Sequence, residues 1–250
     1  MKILKMKKVM KGIFLVLIGL IMFSCGGKKE TAKTERVFVI GTNAEYPPFE
    51  YLENGKIVGL DPDIIEAIFQ KLGYQYKWAN MEFGGLISAL QTGKIDVVIA
   101  GMSITPERAK MVHFTDPYLT SNVAIITNKT APIKGMDDLE NKKYGAELGT
   151  TKEATAKSIA GTTVVPYQNN TSALLALKNN QIDGIVLDES VAYEYVKNNS
   201  ELSLVGVLEG EPKAIALSKD DKDYDKINAA LLELIKDGTI ENLKKKYNVN

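Results

Sequence analysis

Residues Ile87–Ala100 read ISALQTGKIDVVIA, and residues Leu174–Leu187 read LLALKNNQIDGIVL. Ala89, Leu90, Ile95 and Asp96 of the first stretch recur as Ala176, Leu177, Ile182 and Asp183 of the second. In each, a helical pattern gives way to a turn and then to a short apolar run with the character of a buried strand. Leu86 to Thr92 reads as a helix capped by Gly93, and Ile95 to Ile99 as the strand that follows. A helix–turn–strand unit that occurs twice predicts two α/β lobes of similar construction.

Working outward, Val37-Phe38-Val39-Ile40 is a β-rich run ending at Gly41-Thr42-Asn43, which predicts a strand opening into a loop. Asp61 and Pro62 read as the N-cap and first position of a helix whose apolar face is Ile64, Ile65, Ile68, Phe69 and Leu72, closed by Gly73. Tyr144–Leu148 predicts a short strand, followed by a helix starting near Lys152. Near the C-terminus Ile227, Ala230, Leu231, Leu234 and Ile235 form an amphipathic stripe, Gly238 ends it, and Ile240–Tyr247 predicts a shorter helix.

The chain has 250 residues, 45% of them hydrophobic, with 31 Lys+Arg against 31 Asp+Glu. That length supports a substantial core, and the balanced charge argues against a nucleic-acid partner. One Cys excludes an internal disulfide and a Cys-rich zinc site, and one His makes Ser-His-Asp catalysis and multi-histidine metal sites poor readings. No metal or cofactor is expected.

The charge is unevenly placed. Lys2, Lys5, Lys7, Lys8 and Lys11 open the chain, no acid precedes Glu30, and the remainder after residues 1–24 is acidic. The uncharged run Ile13–Phe23 is shorter than the ~20 apolar residues of a membrane-spanning helix and fits the core of a signal peptide. Ile21-Met22-Phe23-Ser24-Cys25-Gly26-Gly27 resembles a bacterial lipobox, which implies a signal peptide over 1–24 and diacylation (palmitate-type) of Cys25. Residues 25–35 then read as a tether, holding the folded part outside the cytoplasmic membrane.

Ligands of open α/β sheets sit beyond the C-terminal ends of strands, near helix N-termini. Four such places carry suggestive chemistry. Ala100-Gly101-Met102-Ser103-Ile104-Thr105-Pro106-Glu107-Arg108 follows the first repeated strand; Thr105 can cap a helix that puts Arg108 in its first turn. A cation there opposes the helix dipole, and its planar fork could clamp a carboxylate, although a solvent-facing Arg paired with Glu107 fits too. Gly149-Thr150-Thr151 offers N–H groups and hydroxyls to an anion, or simply caps a helix. Asp188 ends the second repeated strand, where it could receive an ammonium group or cap the next helix. Asn43-Ala44-Glu45-Tyr46-Pro47-Pro48-Phe49-Glu50, stiffened by two prolines, and Phe83 supply aromatics that suit a ligand wall or core packing.

Taken in order, G-T-N-x-x-Y-x-P-F-E, G-x-D-x-D-I, A-G-M-S-I-T-P-E-R, F-T-x-P-Y, G-T-T and L-D resemble the solute-binding proteins of polar amino-acid ABC transporters, the bacterial extracellular family 3, from about Val37 to Asn250. The resemblance implies an α/β, two-lobed, periplasmic-binding-protein-like (type II) fold with a two-strand hinge. Crossings would fall near Val123–Ile126 and Lys213–Leu217, making lobe 1 residues 36–124 plus 216–250 and lobe 2 residues 125–215. It further implies that Arg108 pairs with the ligand α-carboxylate, helped by Ser103 and the Thr151 N–H. Asp188 would bind the α-ammonium with the Gly101 carbonyl and the Ser103 hydroxyl, and Tyr46 and Phe83 would wall the side-chain slot. A zwitterion needs one fixed cation and one fixed anion, and desolvation on closure strengthens both pairs.

Asn43 stands where several relatives that prefer cationic amino acids carry an acid. Glu45 and Glu147 are nearby acids that could supply that charge, and an aromatic pair suits a guanidinium, whereas Lys152 argues the other way. An arginine- or lysine-like ligand is therefore expected first and glutamine next, taken up by a monomer that delivers it to ABC permease subunits. Enzymes on the same fold, such as periplasmic dehydratases, and ligand-sensing modules are the rival classes. His113 reads as structural, no catalytic cluster stands out, and no signalling or catalytic domain is expected beyond the two lobes.

Overall fold

In this computed structural model, residues 36–131 and 133–249 are described. The leader, Cys25 and the tether fall outside the described residues.

The two copies of the repeat lie in two different five-stranded sheets. The first has the spatial order β5 (Gln75–Asn80), β1 (Val37–Thr42), β6 (Val97–Val98), β13 (Ala216–Leu217), β7 (His113–Phe114). The second has the order β10 (Thr163–Tyr167), β9 (Lys143–Glu147), β11 (Gly184–Asp188), β8 (Leu119–Asn128), β12 (Leu202–Lys213). In both, the first three strands are parallel and the last two run antiparallel to their neighbours. A small antiparallel sheet of β2 (Glu45–Tyr46), β3 (Glu50–Glu53) and β4 (Lys56–Val58) flanks the first.

The helices are α1 (Leu60–Leu72), α2 (Leu86–Gln91), α3 (Pro106–Met111), α4 (Thr151–Ser158), α5 (Asn170–Lys178), α6 (Glu189–Asn198), α7 (Tyr224–Lys236) and α8 (Thr239–Lys246). On α1, Ile64, Ile65, Ile68 and Phe69 are fully buried, in one cluster with Phe38 and Ile40 of β1 and Ile227 and Leu231 of α7. Each such side chain contributes about 1.5–3 kcal/mol relative to exposure. The helical spacing read from the sequence is thus the spacing of the core face.

Local differences from the sequence reading have clear physical causes. Helix α1 starts at Leu60 after Gly59, so Asp61 is not its N-cap. Gly59 has φ 132°, and a Cβ there would lie 2.2 Å from the Phe49 carbonyl oxygen, so only glycine fits. The Asp61 carboxylate instead turns inward and accepts hydrogen bonds from Gly101 N (2.7 Å) and the Tyr118 hydroxyl (3.1 Å), satisfying a buried backbone donor. The strand expected over Ile95–Ile99 is regular only at Val97–Val98, yet Asp96 N donates to Val39 O (2.8 Å) and Ile99 N to Gly41 O (3.2 Å) on either side.

The chain leaves the first sheet after Phe114 and enters the second at Leu119; it returns between Lys213 and Ala216. Val123–Ile126 lie inside β8, paired with β11 and β12. The two crossings run side by side, with Thr115 N donating to Ile215 O (2.9 Å) and Tyr118 N to Lys213 O (3.0 Å).

Candidate functional site

The C-terminal ends of the parallel strands, with the loops and helix starts that follow them, meet between the two sheets. The cavity there is lined by Asn43, Tyr46, Phe83, Ala100, Gly101, Ser103 and Arg108 from the first sheet's side and by Glu147, Thr150, Thr151 and Asp188 from the second. Glu45, expected from the sequence as a source of charge for the ligand, is not part of this lining; it lies half-buried on β2, paired with Tyr51. Glu50, Lys152 and Asn170 join the lining.

Arg108 is where the helix-start argument puts it. Thr105 caps α3 through its hydroxyl, which accepts from Arg108 N (3.2 Å), with Pro106 at the first helical position. The guanidinium is buried and does not pair with Glu107: it donates to Ser103 O (2.7 Å) and, across to the other side, to Gly149 O (3.0 Å). Its centre lies 5.2 Å from the Phe83 ring. Burial lowers its pKa without threatening its charge.

Asp188 ends β11 and precedes α6, but its side chain makes no cap hydrogen bond. It is 1% exposed, and the Tyr46 hydroxyl donates to its Oδ2 (2.9 Å) while accepting from its backbone N–H (3.0 Å). Lys152 Nζ lies 2.7 Å from the same oxygen. Lys213 Nζ lies 2.8 Å from Oδ1, in ion-pair contact though off a hydrogen-bond direction. Burial alone would raise the Asp188 pKa; the two ammonium groups more than offset it and hold the carboxylate ionised. Lys213 is fully buried and donates to the Ser103 hydroxyl (2.8 Å), and burial pushes its pKa down.

The remaining wall belongs to Glu147 at the end of β9. One oxygen accepts from Asn170 Nδ2 (2.5 Å), the first residue of α5; the other, Oε1, is buried and has no hydrogen-bond partner among the described residues. Burial pushes this carboxyl up to about 8. Thr150 donates to the Glu147 carbonyl (2.7 Å), and Asn43 donates to Met81 O (3.1 Å). Tyr46 stacks on Phe49 with ring centres 5.8 Å apart. Glu50 is 1% exposed, and burial followed by the neighbouring Asp61 charge raises its pKa well above the usual range; Asp61 is itself raised to about 6 by burial. His113 lies away from this cavity, stacked on Tyr224 at 3.5 Å.

The sequence reading missed Glu50, Asn170 and Lys213. A signal existed for two of them. Asn170 opens a helix after a strand, as Thr151 does, and Lys213 places a charge at the edge of the apolar run Ala214–Leu217.

The arrangement offers a buried cation and a buried anion on opposite sides of one small cavity, with an aromatic wall and a second, unpaired carboxyl. A profile of the bacterial extracellular solute-binding proteins, family 3, matches residues 38–250. The chain belongs to that family. Among family 3 relatives, the arginine-binding extracellular protein ArtP of Bacillus subtilis is 32% identical over 250 residues, 97% of this chain and 98% of that protein. The probable histidine-binding protein of Campylobacter jejuni is 36% identical over 253 residues, 97% of this chain and 99% of that one. An ancestral arginine-binding protein solved with arginine superposes with a TM-score of 0.79 at 44% identity, covering 84% of this chain and 97% of that one. An ancestral arginine-binding protein is also solved bound to glutamine, with a TM-score of 0.80. The fold is therefore the two-lobed α/β fold of these binding proteins, and the chain is an extracytoplasmic solute-binding protein.

Proposed function

We propose that this protein is the substrate-binding component of an amino-acid ABC importer, a non-catalytic receptor that closes on a polar amino acid with a cationic side chain. Arg108 and Thr151 take the α-carboxylate, and Asp188, Gly101 and Ser103 take the α-ammonium. Tyr46 and Phe83 flank the side chain, with Asn43 and Ala100 lining the slot. Glu147 supplies the charge that the side chain meets. The observation that carries the preference is the buried Glu147 Oε1 without a partner, facing the same cavity as Arg108 and Asp188. A cationic group satisfies that oxygen and restores its ionisation.

Glutamine is the second reading. Glu147, pushed up to about 8, can hold its proton at neutral pH and donate it to a side-chain amide; a glutamine complex of an ancestral relative supports the same ligand class.

The lobes are proposed as the two sheets with their helices, joined by the paired crossings, so that the ligand bridges them and favours closure. Cys25 is the proposed lipid anchor and 26–35 the tether to the cell membrane, with the monomeric receptor docking on permease subunits. The test is thermal unfolding of protein stripped of carried-over ligand by unfolding and refolding, against all twenty amino acids plus ornithine and citrulline. Ligand at 100 times its Kd adds about 2.7 kcal/mol, or roughly 5–10 °C for a chain of this size. A shift with arginine, lysine or ornithine supports the reading, glutamine alone selects the second one, and no shift with any amino acid overturns both.

A further inference from the structure

Lys152 lines the cavity between the sheets, and Glu211 lies in contact with it. Lys152 projects from the first turn of α4, and its Nζ lies 2.7 Å from Asp188 Oδ2 and 3.3 Å from Glu211 Oε2. That Glu211 oxygen, contributed by β12, accepts from the Ser103 hydroxyl (2.7 Å) and from the Thr151 hydroxyl. The pair is therefore an ammonium and a carboxylate in contact, the ammonium seated on Asp188 and the carboxylate on Ser103 and Thr151. Asp188 and Thr151 are points that the proposed function gives to a ligand's ammonium and carboxylate respectively, and Ser103 is one that it gives to the ammonium.

On the basis of that proposed function, we infer that the Lys152–Glu211 pair is a built-in surrogate for the zwitterion, holding the two lobes together until an incoming amino acid displaces it. Asp188 is suited to such an exchange because its two oxygens have different partners. Oδ1 faces the fully buried Lys213, while Oδ2 faces Lys152. Burial alone would lower the Lys152 pKa; Asp188 and Glu211 more than offset it, so the ammonium stays charged in this position. The Glu211 side chain is 23% exposed, against 6% for Lys152, so the displaced ammonium keeps a partner on the solvent side. The contact of Ser103 with Glu211 crosses the cleft and makes the pair part of what closes it.

A surrogate of this kind lowers apparent affinity by the fraction of time that the site is free. Lys152→Met and Glu211→Gln remove either end of it. If the pair occupies the site nine-tenths of the time, either variant binds arginine roughly tenfold more tightly than the unaltered protein. X-ray scattering of the stripped variants gives a larger radius of gyration than the stripped parent, which returns to the parent value on adding arginine. Lys152→Gln provides the same two readings should the methionine variant fail to fold. Unchanged or weaker arginine binding, or stripped variants as compact as the parent, overturns the inference. Absence of amino-acid binding by the parent and every variant would instead overturn the proposed function, and scattering would still decide whether the pair holds the lobes together.

Discussion

In the first copy of the repeated unit, Asp96 accepts a hydrogen bond from Val39 N (2.7 Å) and its own N–H donates to Val39 O (2.8 Å). In the second, Asp183 does the same with Lys143, at 2.8 and 2.7 Å. Ile95 packs where a Cβ on Gly41 would lie 2.4 Å from its Cδ1, and Ile182 packs against Gly145 at the corresponding 2.6 Å. The turns match as well: Gly93 and Asn180 both adopt left-handed backbone, φ 69° and 56°. The two copies part company in chemistry at the strand end, where one has Gly101, its N–H held by Asp61, and the other has Asp188 among lysines. What repeats is the scaffold, and what differs is the chemistry. A doubled lobe thus presents two unlike chemical faces to a ligand that itself has unlike ends.

The contrast breaks most severely on the chemical side. Arg108→Ala should reduce amino-acid affinity by at least ~100-fold, about 3 kcal/mol, the scale of deleting one partner of a buried charged pair. Titration calorimetry measures it, with an unchanged circular-dichroism spectrum as control; near-parental affinity would remove Arg108 from the site.

On the scaffold side the two copies should respond alike. Asp96→Ala and Asp183→Ala each leave a strand N–H without its acceptor and should cost about 1–3 kcal/mol in urea unfolding. Asp96 also pairs with Arg36 at 2.7 Å, but that exposed pair adds at most ~1 kcal/mol. A gap between the variants much larger than that would show that the repeat is not equivalent in energy.

The side-chain end sharpens the contrast through pH. In the protein without ligand, Glu147 is raised to about 8 from an ordinary 4.5. Between those values the folded state holds a proton that the unfolded state has lost, so this group's contribution to stability falls as pH rises through that window. A cationic side chain beside Glu147 expels the proton. Arginine affinity should therefore climb by up to ~10-fold per pH unit towards pH 8 and level off above it, while glutamine affinity should not climb. Calorimetry at pH 6, 7, 8 and 9 reads both, and a flat arginine profile would release Glu147 from this role. The smallest effect is expected from Tyr46→Phe, which removes the hydroxyl bonded to Asp188 but keeps the ring on Phe49. About 0.5–1.5 kcal/mol, roughly two- to tenfold in Kd, is expected.

The fold was legible in the sequence because its period is local. Ile-Asp after a turn, Ile64 to Phe69 along one helix face, and Thr105-Pro106 at a helix start are patterns within a few residues of one another. Strand ends could be located in the same way, and so Arg108, Thr151 and Asp188 could be put at the cavity before their partners were known. The partners were not legible because they are distant in sequence. Asp61 read as a cap from its place before Pro62, but the donor it serves is Gly101. Lys213 stands beside the apolar run Ala214–Leu217, and no spacing says that its ammonium reaches Ser103. The Lys152–Glu211 contact joins a helix start to β12 through tertiary packing alone.

The most direct test of opposed charges gripping an amino acid is a calorimetric titration of the stripped protein with arginine and with agmatine, which keeps the guanidinium and lacks the carboxylate. With Arg108 fixed on the carboxylate, arginine should bind with one-to-one stoichiometry and agmatine at least ~100-fold more weakly. Equal affinity for the two would contradict the account.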